Sequence, residues 1–543
     1  MASQCARSYN ANGFRSNRMH DMAEFETRQP RSPVSGKRAM VVSGHSAASL
    51  AGIDVLKRGG SLVDAMIAAS ATLAVVLSHA TSIGGDCFIL YHEAANGRTV
   101  GLNASGVAPA AATPAGFGDG MKVRGPLAPV VPGLVRAWEA MHKRYGKLAW
   151  RELFETAIDC ADAHPVSSVL AERIPEDRAL LLADPGCAAV YLPNGRPIAA
   201  GDLFRQPALA ATLRGIAAEG ADSFYLGATA RRIGAYFSER GGMMRASDLA
   251  DYRPIWVEPA ATEYRGHRVE VMPPNSYGIL LLLQLNGLAA VEGAALAADP
   301  VQRVGWQMSA MKAAFEHGRP LIADPAAIPD AVARALAPEM AARMRDAVLK
   351  TAPATRVPNR GGTSCLMLAD AAGNAICVVQ SVFNVFGSAF LDPNTGVLFN
   401  NRMQGFTHLP DRPNSVAPGK RPAHTLCPVL VLRDGRVRYA LASPGGVSQT
   451  LTNAQVLTQL VDLGRDVAAA VEAPRWCNAT GGEFLIESDY PEAVLPQLAA
   501  IGHAVKRAAD PYFYGSAKAI ELYPSGTLAG AGDHRREAYA IGW

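Results

Sequence analysis

The chain has 543 residues, 49% hydrophobic and 18% charged, with a formal net charge of +4; that is room for two or three average domains or one large intertwined one. So small a charge over this length gives no basis for a nucleic-acid partner or an anionic membrane surface. Eight scattered cysteines with no CxxC pair argue against a zinc site and a disulfide framework.

In chain order, residues 1–35 are polar and Arg-rich and lack the apolar segment of a signal peptide, which predicts a disordered N-terminal arm and a cytoplasmic protein. "AMVVSG" reads as a short strand. Ser46 to Arg58 reads as a helix with Ala47, Leu50, Ile53 and Leu56 on its apolar face, and Val63 to Leu77 as a second helix after a Gly-Gly stop. "IGGDCFILYH" and "TVGLNAS" follow as neighbouring strands. Helical patterns dominate from Pro129 to Leu336. The apolar runs "AMIAASATLAVVL" and "GILLLLQLNGLAAV" are too short for a bilayer, which needs about 20 residues, and are expected to be buried core helices. Residues 345–362 form a Pro- and Gly-punctuated linker, and strands return after it. Mixed helices and strands without regular βαβ alternation indicate an α+β fold.

The segment that carries chemistry begins at that return. "SCLMLAD" and "NAICVVQSV" are strands joined by Ala371-Ala372-Gly373, a three-residue hairpin loop ending in Gly. With Ala372 at the centre, residues pair when their numbers sum to 744, so Thr363 faces Ser381. Directly opposed residues hold their Cβ atoms roughly 5 Å apart, within reach of a hydroxyl–hydroxyl bond. The hairpin alone equally describes a Thr at a strand start with an ordinary partner. The Gly-Gly lead-in adds a chemical reading, in which the carbonyl of Gly362 approaches the Thr363 hydroxyl, the acyl group shifts from N to O, and hydrolysis leaves Thr363 with a free α-amine. Such an amine titrates near ~7.7–8.0 and can serve as the base for its own hydroxyl. Further on, Ser443-Pro444-Gly445-Gly446 stands between a strand and a helix capped near Ser448. Its consecutive N–H groups suit a phosphate cradle, a tight turn or an oxyanion hole.

These stretches together resemble the γ-glutamyltranspeptidase (glutathione hydrolase) family of N-terminal-nucleophile hydrolases. The resemblance runs through "AASLAGIDVLKRGGSLVDAMIAASATLAVVLSHATSIGGDCFIL", "VMPPNSYGILLLLQLNGL", "GGTSCLMLADAAGNAICVVQS", "TGVLFNNRMQGF", "KRPAHTLCPVLVL" and "SPGG", and it covers nearly the whole chain. It implies a four-layer αββα sandwich, self-cleaved at Gly362–Thr363 into a large subunit (36–362) and a small one (363–543) that stay intertwined. It also implies Thr363 as nucleophile, Ser381 as its hydroxyl partner, and Gly445 and Gly446 as the oxyanion pair.

The resemblance fails at the substrate positions. Ser105 stands where the family has the Arg that grips an α-carboxylate, and Gly405 where an acid holds the α-ammonium. Arg402 replaces a Gln, Phe383 an Asn (with Asn384 next door), and His424-Thr425 a serine pair. A buried charge without a partner costs several kcal/mol. The expected donor is therefore an amide carrying a carboxylate, held by Arg402, and no α-ammonium: a dicarboxylate monoamide of oxamate or glutaryl type. The alternatives are a true γ-glutamyl enzyme whose contacts other loops re-supply, and a non-catalytic binding protein on the same scaffold. Gly44-His45-Ser46 imitates the nucleophile elbow of another hydrolase class but lacks the strands that should precede it. Water or an amine is the expected acceptor, and no cofactor is expected.

Overall fold

The computed structural model describes residues 31–118, 120–349, 361–478 and 483–543. Two seven-stranded sheets stack face to face. Their strands are, in chain order, β1 (Val34–Gly36), β2 (Ala39–Ser43), β3 (Asp86–Glu93), β4 (Arg98–Ala104), β5 (Ile255–Val257), β6 (Ala260–Tyr264) and β7 (His267–Val271). After the linker region come β8 (Gly362–Asp370), β9 (Ala375–Phe383), β10 (Val429–Arg433), β11 (Arg436–Ala442), β12 (Lys518–Leu522), β13 (Leu528–Gly532) and β14 (Tyr539–Gly542). One sheet runs β14-β2-β8-β9-β3-β4-β5 and the other β1-β13-β12-β11-β10-β7-β6. Both sheets contain strands from before and from after residue 362, so the two segments share one structure.

The period-two pattern of β8 shows how the layers form. Cys365, Met367 and Ala369 face the second sheet, where they meet Leu430 and Ala440. Leu366 and Leu368 face outwards onto helices α1 (Ser46–Lys57) and α2 (Leu62–Val76). On the far side, α3 (Gly278–Leu288), α4 (Pro300–Gly318), α5 (Pro338–Leu349) and α6 (Gln449–Leu457) cover the second sheet. The result is an αββα sandwich.

Both apolar runs are buried helices. Every residue of α2 is buried, and Ser61 and Asp64 close its start reciprocally: Asp64 N donates to Ser61 Oγ at 3.1 Å and Ser61 N to Asp64 Oδ2 at 2.8 Å. α1 corrects the expected face, because Leu50 is exposed while Ala48, Ala51, Ile53 and Val55 are buried. Small residues on that side let α1 lie close to the sheet, where Gly52 approaches Val41. His45 caps α1 by accepting from Ala47 N through Nδ1 at 3.2 Å, so the elbow-like Gly44-His45-Ser46 is a strand-to-helix junction. Two expected boundaries also move. The arm drawn over 1–35 overlaps β1, whose Val34 and Ser35 pair with Gly530 and Ala529, and residues 1–30 lie outside the described residues. The linker drawn over 345–362 begins inside α5 and ends inside β8, with 350–360 outside the described residues.

Candidate active site

The hairpin register decides what meets at the head of β8. From Ala369↔Ala375 to Ser364↔Gln380 the paired numbers sum to 744, and a bulge then shifts the pairing to Gly362↔Phe383. Thr363 sits in that bulge, buried, with its Oγ1 3.1 Å from Ser381 Oγ. Ser381 has one proton and three neighbours. Phe383 N donates to its oxygen at 2.7 Å, and it donates to the carbonyl oxygen of Gly362 at 2.8 Å. The remaining bond must therefore run from the Thr363 hydroxyl to Ser381. The peptide bond before Thr363 thus has its carbonyl polarised by a hydroxyl that also orients the Thr363 side chain.

Glycines make this close approach possible. A Cβ on Gly361 would collide with the backbone N of Gly446, and one on Gly362 would lie 2.9 Å from the backbone of Asn384 and Val385. Gly445 and Gly446 have φ of 136° and 58°, a path closed to most other residues. The Ser443–Gly446 loop is thereby pressed against the peptide that precedes Thr363. A short 3-10 turn, Gly446–Ser448, separates the loop from α6, and Ser448 makes no side-chain cap.

The same ladder carries the site sideways. Ser381 pairs with Asp86 at the head of β3, and directly opposed residues point to one face of a sheet. Asp86 is fully buried and receives His424 Nε2 at 2.7 Å on Oδ2, with Arg402 Nε 3.4 Å from the same oxygen. Burial would raise the Asp86 pKa, but the Arg402 charge and the His424 contact hold it below the usual carboxylate range. Burial, with Arg402 alongside, pushes His424 down to about 4, so its ring is neutral. The Arg402 guanidinium lies 4.1 Å from the Phe383 ring centroid, and its Nη1 donates to Thr425 Oγ1 at 3.5 Å. Arg402 Nη2 and Asp86 Oδ1 have no hydrogen-bond partner among the described residues.

Several expectations change here. Arg402 is not an uncompensated cation, because Asp86 meets it. His424 commits Nε2 to Asp86, and its Nδ1 accepts from Leu426 N at 3.4 Å, so it supports Asp86 and has no free nitrogen for a substrate. Ser105 is also committed, donating to Asn103 Oδ1 at 2.7 Å and accepting from Asn275 Nδ2 at 3.1 Å. Gly405 packs on the 422–423 backbone, where a Cβ would lie 2.6 Å from Ala423 O, so the position has no room for an acid. Asn384 contributes its N–H to Asn401 Oδ1 at 3.0 Å. Asn400 meanwhile accepts from Arg402 N at 3.0 Å and donates to Gly84 O at 2.9 Å, tying the Arg402 turn to the approach to β3. Asp86 was missed, though an acid opening an otherwise apolar strand after Gly84-Gly85 was a usable signal.

With this geometry in place, the relatives are informative. A family model described as Gamma-glutamyltranspeptidase matches residues 48–543. The chain is 33% identical over 530 residues to the acylase ACY 1 proenzyme of Pseudomonas sp. (strain SE83), covering 94% of each chain. It is 32% identical over 522 residues to the oxamate amidohydrolase proenzyme of Klebsiella pneumoniae, covering 93% of this chain and 98% of that one. The crystal structure of a cephalosporin acylase from Bacillus halodurans superposes with a TM-score of 0.90 at 32% identity, over 95% of this chain and 98% of that one.

Proposed function

This chain belongs to the gamma-glutamyltranspeptidase family, and from that premise we propose that it cleaves itself at Gly362–Thr363 and then uses Thr363 as the nucleophile of an amide hydrolase or acyl transferase. The observation that carries the reading is the hydrogen-bond chain from the Thr363 hydroxyl to Ser381 Oγ to the Gly362 carbonyl. Thr363 Oγ1 attacks the Gly362 carbonyl carbon. Negative charge develops on an oxygen that already receives the Ser381 proton, and the Thr363 nitrogen leaves as an amine. Water then hydrolyses the ester, giving a Gly362 carboxylate and a free Thr363 α-amine. That amine, with a reference pKa near ~7.7–8.0, takes the hydroxyl proton when Thr363 attacks a substrate amide. The N–H groups of Gly445 and Gly446 receive the resulting oxyanion.

The acyl donor in this reading carries a carboxylate and no α-ammonium. Gly405 leaves no room for the acid that would hold an ammonium. Asp86 already serves Arg402 and His424, and the unpartnered Nη2 of Arg402 is placed to take a carboxylate. A guanidinium has five N–H donors and can serve two carboxylates at once. The relatives named as acylase and oxamate amidohydrolase are in keeping with such donors. One observation favours a second reading: the open Oδ1 of Asp86 beside the open Nη2 of Arg402 would also suit a donor that bears both ammonium and carboxylate. Purified enzyme assayed with glutaryl-, oxamate- and γ-glutamyl amides decides between them. A higher kcat/KM for the glutaryl or oxamate compound is expected, and preference for the γ-glutamyl compound would replace the first reading with the second.

A further inference from the structure

The strand that carries Ser381 ends in an awkward turn. Phe383, Phe386, Gly387 and Ala389 all have positive φ, at 81°, 57°, 53° and 48°, and only one of them is a glycine. Residues with side chains rarely adopt such backbone, so the turn after β9 is not one that its own residues favour. It is nevertheless the turn that aims the site. Phe383 N donates to Ser381 Oγ at 2.7 Å, and the Phe383 ring covers the Arg402 guanidinium. Contacts from outside the turn have to hold it in place.

On the apolar side the Phe386 ring is fully buried and meets Tyr191 edge to face at 5.0 Å. On the polar side stands Arg124. Its Nη1 donates to Val385 O at 2.8 Å and also to Gly387 O, so one nitrogen uses both of its hydrogens on the carbonyls either side of Phe386. Arg124 is half-buried, and a guanidinium stays charged under such burial, which makes both bonds charge-assisted. The bonds around it close a ring. Gly125 N donates to Ser388 O at 2.8 Å, Asn401 Nδ2 to Val123 O at 2.9 Å, and Asn384 N to Asn401 Oδ1 at 3.0 Å. Residues 123–125, Asn401 and the 384–388 turn are thereby fixed to one another. Arg124 precedes the 362–363 bond and the turn follows it, so the clamp joins the two segments.

We propose that Arg124 is a positioning residue for self-cleavage: by pinning the carbonyls of Val385 and Gly387 it holds the Phe383 N–H on Ser381 Oγ, and so keeps the Ser381 proton on the Gly362 carbonyl. The inference rests on the role given to Ser381 above. Ser381 Oγ accepts from Phe383 N and from the Thr363 hydroxyl, and it has one proton to give. When the Phe383 N–H moves away, the hydroxyl loses one of the bonds that fix its rotation, and its proton spends less time on Gly362 O. Arg124 itself touches none of the reacting atoms and acts through the turn alone.

The test follows cutting of the pulse-labelled full chain on denaturing gels, for Arg124→Gln and Arg124→Lys, each alone and beside Ser381→Ala. Arg124→Gln is expected to slow cutting by about tenfold or more, the scale of one charge-assisted hydrogen bond. Arg124→Lys keeps a charged donor without the planar fork and is expected to slow it by only about threefold. Beside Ser381→Ala, either change should add less than about a twofold loss, because residues that act through one contact are not additive. Slowing that persists undiminished beside Ser381→Ala would reduce Arg124 to a packing role and overturn the proposal, as would wild-type rates in both single variants. Urea midpoints in a Thr363→Ala background show which variants fold. If Arg124→Gln does not, Arg124→Lys with and without Ser381 decides by the same two criteria. Wild-type cutting in Ser381→Ala alone would instead remove the role of Ser381, and this inference with it.

Discussion

Asp86 and Arg402 face each other across 3.4 Å, Oδ2 to Nε, with neither side chain exposed to solvent. They come from opposite sides of the 362–363 bond, so this ion pair is one of the places where the two segments are joined. Buried pairs contribute little net stability compared with apolar replacements, but removing one partner leaves a buried charge uncompensated, at about 3–5 kcal/mol. Asp86→Ala and Arg402→Met are each expected to lose stability on that scale. The double variant should lose markedly less than the two losses added. Urea unfolding in a Thr363→Ala background, where the chain stays in one piece, supplies the numbers. Strictly additive losses would mean that the two charges do not depend on each other.

Ser381 is expected to govern self-cleavage through its proton on the Gly362 carbonyl. Removing a single donor from a developing oxyanion typically slows a reaction by about 10²–10³-fold. Ser381→Ala should therefore accumulate the uncut 57.2 kDa chain, whereas Ser381→Thr keeps the hydroxyl and should still cut. Gly361→Ala should slow cutting for a different reason, because its methyl group would displace the scissile peptide from Gly446. Thr363→Ala should give one band in place of two of roughly two-thirds and one-third of the chain mass. Time courses on denaturing gels read all four. Wild-type cutting rates in Ser381→Ala would remove the polarising role.

The contrast between what the sequence disclosed and what it hid follows from range. The hairpin was legible because Ala371 to Gly373 sets a local register that holds as far as Ser364, whereas the bulge that takes Thr363 out of direct register with Ser381 was not. Gly445-Gly446 was legible as a backbone device, since few other residues tolerate positive φ, and Gly361-Gly362 as a place where backbones approach closely. The face of α1 was misread at Leu50 because apolar periodicity weights large side chains, while close helix packing selected the alanines and Gly52. The partners of Arg402 and His424 were hidden because Asp86 lies more than 300 positions away in the chain and reaches them only through the sheet order. Gly405 could be seen as a lost acid but not as a filled space, since the obstacle is the Ala423 backbone.

That filled space yields a specificity prediction. If Gly405 were simply a missing acid, Gly405→Asp would restore an ammonium partner and with it activity on γ-glutamyl amides. The Cβ of any side chain there would lie 2.6 Å from Ala423 O, and a backbone oxygen cannot swing away as a flexible side chain can. Gly405→Asp is therefore expected to lower activity on glutaryl and γ-glutamyl p-nitroanilides alike. A gain of about tenfold on the γ-glutamyl compound, equivalent to about 1.4 kcal/mol of transition-state binding, would show that the 422–423 segment yields and that selectivity resides in the lost acid.

His424 gives the site a pH signature. Burial, together with the neighbouring Arg402 charge, keeps its ring neutral down to about pH 4, whereas in an unfolded chain it takes up a proton near 6.5. Between those values the unfolded state binds a proton that the folded state refuses. The stabilisation from this residue is thus fully present above pH 6.5 and declines as pH falls towards 4, by about 1.4 kcal/mol per pH unit for one proton. The His424→Gln variant can still donate to Asp86 but cannot titrate at this position. In the Thr363→Ala background, the stability difference between the chain that keeps His424 and the one carrying His424→Gln should therefore move by about 3 kcal/mol in favour of the variant between pH 7 and pH 4. Other buried histidines, such as His45 and His79, are common to both chains and cancel in the difference. Urea midpoints at several pH values measure the trend, and parallel curves would mean that the ring is already charged when Asp86 receives it.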